Sequence, residues 1–131
     1  MYFLDTNICA YFMSRKYPSV TAKFREHEPG ELVISSIVAG ELAYGVENST
    51  RIESNWRALK VFLSKMTVMA WNETALWQFD LQKTRLKKSG TKIGELDLLI
   101  GCQAFAMDAV LVTNNTRKFE RIEGLRLENW V

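Results

Sequence analysis

Three carboxylates are placed so that the fold could bring them together. Asp5 closes the apolar run YFL, Glu41 lies inside VAGELAY, and Asp97 sits at the head of the apolar stretch ELDLLI. A charge beside so much apolar sequence is costly unless something pairs it. No histidine, cysteine or matched lysine accompanies them, so the donor set is oxygen only, which suits a hard divalent cation such as Mg²⁺ or Mn²⁺. Such an ion keeps waters that can attack phosphorus. Each acid also has an ordinary role open to it: Asp5 as a cap or turn residue, Asp97 as a first-turn acid favoured by the helix dipole, Glu41 as a solvated helix residue. Only their joint position favours an ion.

Other chemistries have little material. His27 is the sole histidine and lies in the polar stretch FREHEPGE, where it reads as a surface residue; His-based triads and His-rich metal sites are thereby set aside. Cys9 and Cys102 stand far apart in apolar surroundings without a CxxC spacing, which reads as two buried, reduced thiols.

The elements that must position the acids alternate along the chain. YFLD (2–5) is a short strand, and Asn7 is placed to cap a helix to about residue 14. Pro18 and Ser19 open a second helix, ended by Pro29-Gly30. LVIS (32–35) is a strand followed by a helix with Ser36 at its cap, running to about Glu47. Thr50 and Glu53 have the spacing of a capping box, which predicts a helix to about Lys65. TVMAW (67–71) is a third strand, and Asn72 caps a helix that Gly90 stops. An apolar helix over about 96–108 should be central; 109–113 is a fourth strand, and LENWV an edge strand. This alternation implies an α/β fold with a parallel sheet of four to five strands between helix layers. Sites in such sheets form beyond the C-terminal strand ends, where all three acids fall.

The 131 residues, 47% hydrophobic and 24% charged, fit one domain spanning the chain, residues 1–131. Asp97, Gln103 and Asp108 interrupt the most apolar region, and MYFL meets Asp5 before any signal-like run; a soluble, cytoplasmic protein is expected.

FLDTN (3–7), SSIVAGELAYGVENS (35–49), GTKIGELDLLIGCQA (90–104) and LVTNNTRKFERIEGLRLENW (111–130) together resemble the PIN-domain ribonucleases, and among them the VapC toxins of bacterial toxin–antitoxin pairs. The resemblance runs through the whole chain in the family's order. It implies a PIN-like three-layer α/β/α sandwich and an endoribonuclease dependent on Mg²⁺, with Mn²⁺ able to substitute, that hydrolyses RNA phosphodiesters by metal-activated water. Asp5, Glu41 and Asp97 match three family acids and would hold the ion. Relatives commonly carry a further acid just after the fourth strand, where this chain has Asn114 and Asn115. An amide oxygen can ligate a hard cation but brings no charge, so one firmly held ion is expected. Glu120 restores charge if residues 117–122 make a helical turn. Thr113 could bond a water or phosphate near the ion, and Asn7 could orient Asp5. Glu95 replaces a common proline and reads as a helix N-terminal acid.

The net charge of +2 conceals a partition. With Asp5, Glu41, Asp97 and Glu120 placed in a pocket, 17 basic residues face 11 remaining acids. A negative pocket within a positive surface suits a phosphate backbone. The expected rim is Lys83, Arg85, Lys87, Lys88 and Lys92, with Arg117, Lys118 and Arg121 beyond the fourth strand. The resemblance also implies a VapB-like antitoxin, a homodimer within a larger complex that binds promoter DNA through the antitoxin, and a tRNA substrate, with initiator tRNA cut in its anticodon loop the sharpest form. The aromatic faces of residues 51–63 and 72–86, with Trp56, Phe62, Trp71 and Trp77, offer surface for such partners as well as for core. Two rival readings remain: a catalytically inactive PIN module acting by protein or RNA binding, and a receiver-like phosphate acceptor. The second lacks the paired acids after the first strand.

Overall fold

The computed structural model describes residues 1–131. Five parallel strands form one sheet in the order β3-β2-β1-β4-β5: β1 (Tyr2–Leu4), β2 (Leu32–Ser35), β3 (Thr67–Met69), β4 (Val110–Val112) and β5 (Arg126–Glu128). Between them run α1 (Thr6–Ser14), α2 (Pro18–Arg25), α3 (Ser36–Glu47), α4 (Ile52–Lys65), α5 (Glu73–Ser89), α6 (Glu95–Ala106) and the short α7 (Thr116–Phe119). The result is the expected three-layer α/β/α sandwich. β2 is buried at every residue, and Phe3, Leu4, Leu111 and Val112 are fully enclosed. Continuous apolar strands of this kind are what a parallel sheet covered on both faces requires.

The strand order matters more than the strand count. From β1 the chain winds outward through β2 and β3, then returns to the other side of β1 to add β4 and β5. Helices leaving β1 and β4 therefore diverge, opening a crevice at their C-terminal ends, where α/β proteins place their ligands. Asp5 follows β1, and Thr113 follows β4, so both border that crevice.

Local signals decide most helix ends. The Asn72 side chain accepts a hydrogen bond from Ala75 N at 3.1 Å, and Gly90 closes α5 with φ of +71°. Asn72→Ala should therefore lower unfolding stability by about 1 kcal/mol, read as a shifted midpoint with unchanged slope in urea denaturation. Three expected caps are corrected. Asp5, not Asn7, caps α1; Asn7 lies exposed in the first turn. Ser35, not Ser36, caps α3, and the Ser36 hydroxyl instead accepts from Trp71 N. The Thr50–Glu53 box does not form, because Arg51 occupies the cap position of α4 with no side-chain bond.

His27 is also corrected: its side chain stacks on Trp130 with centroids 5.3 Å apart, packs against Tyr2 and bonds Glu31 at 3.0 Å. Both cysteines are free and buried; burial pushes Cys102 up to about 12 and Cys9 well above its ordinary value, with help from the Asp5 charge. They carry no reactive thiolate. Trp56 and Trp71 are half-buried, Phe62 is core, and Trp77 is 59% exposed. No helix is long and apolar enough to cross a membrane.

Candidate active site

Asp5 is fixed from three sides. Its backbone N–H donates to Val112 O at 3.1 Å, which ties it to the end of β4; its Oδ1 accepts from Ile8 N at 2.9 Å, which caps α1. On the third side lies Thr113, fully buried, whose hydroxyl favours the charged form of the Asp5 carboxyl. Desolvation is the largest influence on Asp5 and raises its pKa from 3.8; Thr113 and Ile8 oppose it, Asp97 raises it further, and Lys118 pulls it down. A buried carboxylate that is held unfavourably, beside a second acid, gains from any cation brought to it.

Asp97 enters from the first turn of α6, whose cap is Gly94. Its Oδ2 receives the Lys118 ammonium at 2.6 Å, with the two side chains 31% and 30% exposed. Glu41, half-buried on α3, accepts the Thr6 hydroxyl at 2.6 Å. Because Thr6 follows Asp5, that bond anchors Glu41 at the same crevice. Glu95 points away to Lys83, at 2.6 Å, as a helix-terminal acid.

No three acidic, histidine or cysteine side chains are already gathered into an ion cage. Asp5 and Asp97 interact through their charges, whereas Glu41 is tied to the crevice by its bond from Thr6. Like charges repel, and each acid has found its own donor. The donor chemistry nevertheless fits a hard cation, since every available group is an oxygen and a positive charge, the Lys118 ammonium, already rests on Asp97. Asp5, Asp97 and Glu41 are the residues that would hold such an ion.

The remaining candidates divide. Thr113 Oγ1 accepts from Asn115 N at 3.0 Å, and the Asn115 side chain caps α7 through Lys118 N at 3.2 Å. Asn114 turns to Asn129 at 3.3 Å and does not face the acids. Glu120 is exposed at the end of α7, beside Arg85, Thr91, Arg121 and Glu123, and contributes none of the charge acting on Asp5. Of the expected basic rim, Lys83 pairs Glu95, Arg85 bonds Gln82 and the Arg121 carbonyl, and Arg121 bonds the Lys92 carbonyl. Lys87, Lys88, Lys92 and Arg117 stay exposed. Lys118 belongs to the acid site rather than to the rim; the basic composition of NTRKFER hid that distinction.

Residues 2–125 match the PIN domain. The chain belongs to the PIN-domain family. Along 130 residues it is 38% identical to Ribonuclease VapC2 of Haemophilus influenzae, covering 99% of this chain and 98% of that protein. It is 36% identical over 129 residues to the tRNA(fMet)-specific endonuclease VapC of Shigella flexneri, covering 98% and 97%. Its fold superposes with a TM-score of 0.91 on a chain in the crystal structure of VapBC2 from Rickettsia felis bound to a DNA fragment from their promoter, at 38% identity and covering 99% and 98%. Within the PIN domains it therefore stands among the VapC ribonucleases, a group of nucleases.

Proposed function

We propose that this PIN domain is the toxin of a VapBC-type pair, an endoribonuclease that uses Mg²⁺ or Mn²⁺ and cuts initiator tRNA in its anticodon loop, blocking translation. The observation that carries the reading is the meeting of Asp5 and Asp97 with buried Thr113 at the crevice between β1 and β4, in a chain alike end to end to a tRNA(fMet)-specific endonuclease. Bound there, the ion would acidify a water and offset charge building on phosphorus. The protein's own groups do the rest. Asp5 and Asp97 hold the site negative, and Thr6 keeps Glu41 oriented toward it. Thr113 fixes the Asp5 carboxylate. Lys87, Lys88, Lys92 and Arg117 attract the RNA backbone.

Total tRNA incubated with the protein and Mg²⁺, followed by end mapping, tests this. The expected product is one cut in the anticodon loop of initiator tRNA, abolished by EDTA. Cuts confined to ribosomal or messenger RNA would sink the substrate, and intact RNA throughout would favour an inactive PIN module. That second reading draws on one feature, the ion pair that engages Asp97. Glu120 lies exposed past the end of α7, so Glu120→Gln should lower cleavage by less than about ten-fold; a total loss would place it among the ligands.

Two surfaces suit protein partners. A cleft of about 630 Å³ between α1, α2 and α4 has an apolar floor of Phe12, Phe24, Val61 and Phe62 under a rim of Arg15, Arg25, Arg57 and Lys65. An antitoxin segment combining apolar and acidic residues fits it. On α5, Leu76, Trp77 and Leu81 are exposed, a surface for a second copy of the chain.

A further inference from the structure

Lys118 is the one cation inside the acid site, and the local structure holds it there. Its backbone N–H is fixed by the Asn115 cap, and the next residue, Phe119, is buried at 1% exposure. The side chain lies over the Phe119 ring, 5.6 Å from its centroid, and reaches Asp97 Oδ2 at 2.6 Å. A surface pair of two mobile side chains contributes little. Here one backbone is fixed by a cap, both side chains are about two-thirds covered, and the acid sits on the first turn of a central helix.

Resting on the proposal that Asp5 and Asp97 hold a divalent ion, we infer that Lys118 competes with that ion for Asp97 and so sets the metal affinity of the site. The carboxylate oxygen that the ammonium occupies is one the incoming cation must use. An arriving ion either displaces Lys118 or settles beside it against like-charge repulsion. In the first case the apparent affinity falls by the fraction of molecules in which Asp97 is free. In the second the repulsion does the same work. Either way the site takes up metal only when the free concentration is high, or when an RNA phosphate gives the ammonium another anion to bind.

Calorimetric titration of Mn²⁺ into the full-length protein, without RNA, tests this. Lys118→Gln should bind Mn²⁺ about ten-fold more tightly than the wild type, given an ammonium that leaves Asp97 free roughly a tenth of the time. Lys118→Arg, which keeps the charge, should stay near the wild type. Lys118→Glu should bind more tightly still and take up a second equivalent of ion. Circular dichroism of each variant separates these effects from misfolding. Equal or weaker binding by Lys118→Gln overturns the inference, because it would make Lys118 a support for Asp97 rather than a competitor. Mn²⁺ binding by none of the four proteins would overturn the metal reading itself, and this inference with it.

Discussion

Asp5→Asn should lower RNA cleavage about 1,000-fold, as losing an ion ligand worth several kcal/mol of transition-state stabilisation implies, while making the fold more stable. The second effect follows from burial. Asp5 is only 8% exposed, and desolvation raises its pKa above 3.8 despite the nearby Thr113 hydroxyl and the bond from Ile8. A raised folded-state pKa means that the stability due to this group is complete below its unfolded value and is lost as pH rises through the folded value. At neutral pH the wild type therefore folds around an unfavourable carboxylate. Asparagine removes the charge but keeps an oxygen to cap α1, since Asn and Asp are equivalent caps. The melting temperature without metal should rise, and the gap should close as pH falls and the wild-type carboxyl protonates. Mn²⁺ should narrow it too, by stabilising only the wild type. A lower melting temperature for Asp5→Asn at neutral pH would mean that its contacts outweigh its burial. A function purchased with stability in this way is common at active sites.

What the sequence disclosed follows how local each cause is. Asn72 and Gly90 act within one turn of themselves, so both ends of α5 were legible. The places of Asp5 after β1, Glu41 on α3 and Asp97 in the first turn of α6 were legible because strand ends and helix starts fix where such residues fall in a parallel sheet. The cap of α1 was not, because the bond from Asp5 N–H to Val112 O, a contact across 107 residues of chain, holds Asp5 extended and makes it the cap in place of Asn7. His27 reads as polar surface from its neighbours, yet it is stacked against Trp130 near the opposite chain end. Lys118 reads as a rim cation from its basic neighbours for the same reason. Its approach to Asp97 depends on how closely α7 packs on α6, a tertiary distance with no signature in the spacing of charges. Glu120 shows the converse: it lies two residues past Lys118 along the same segment, but the turn of α7 directs it to solvent.

Gly101 permits that close approach, and Gly101→Ala is expected to be destabilising. It lies buried in α6, where a side-chain carbon would overlap Ile122 Cδ1 and touch Leu125 and Phe119 at 3.5 Å. Two effects oppose each other. Alanine favours helix over glycine by about 1 kcal/mol, whereas overpacking a tight core costs about 1–3 kcal/mol. The clash should win, because Ile122 is 1% exposed and its terminal methyl must shift among buried neighbours to make room. A net loss of up to about 2 kcal/mol corresponds to a fall in melting temperature of up to about 8 °C. The decisive measurement is a double-mutant cycle. Ile122→Val removes the very methyl that clashes; alone it should cost about 0.5–1.5 kcal/mol, but added to Gly101→Ala it should recover stability. Simple additivity of the two losses would show that the contact does not set the packing. Because residues 116–122 carry Lys118 past Asp97, relieving the clash by shifting that segment would also loosen the ion pair. Gly101→Ala should then bind Mn²⁺ more tightly than the wild type even as it melts earlier, with the double mutant returning both properties toward their original values.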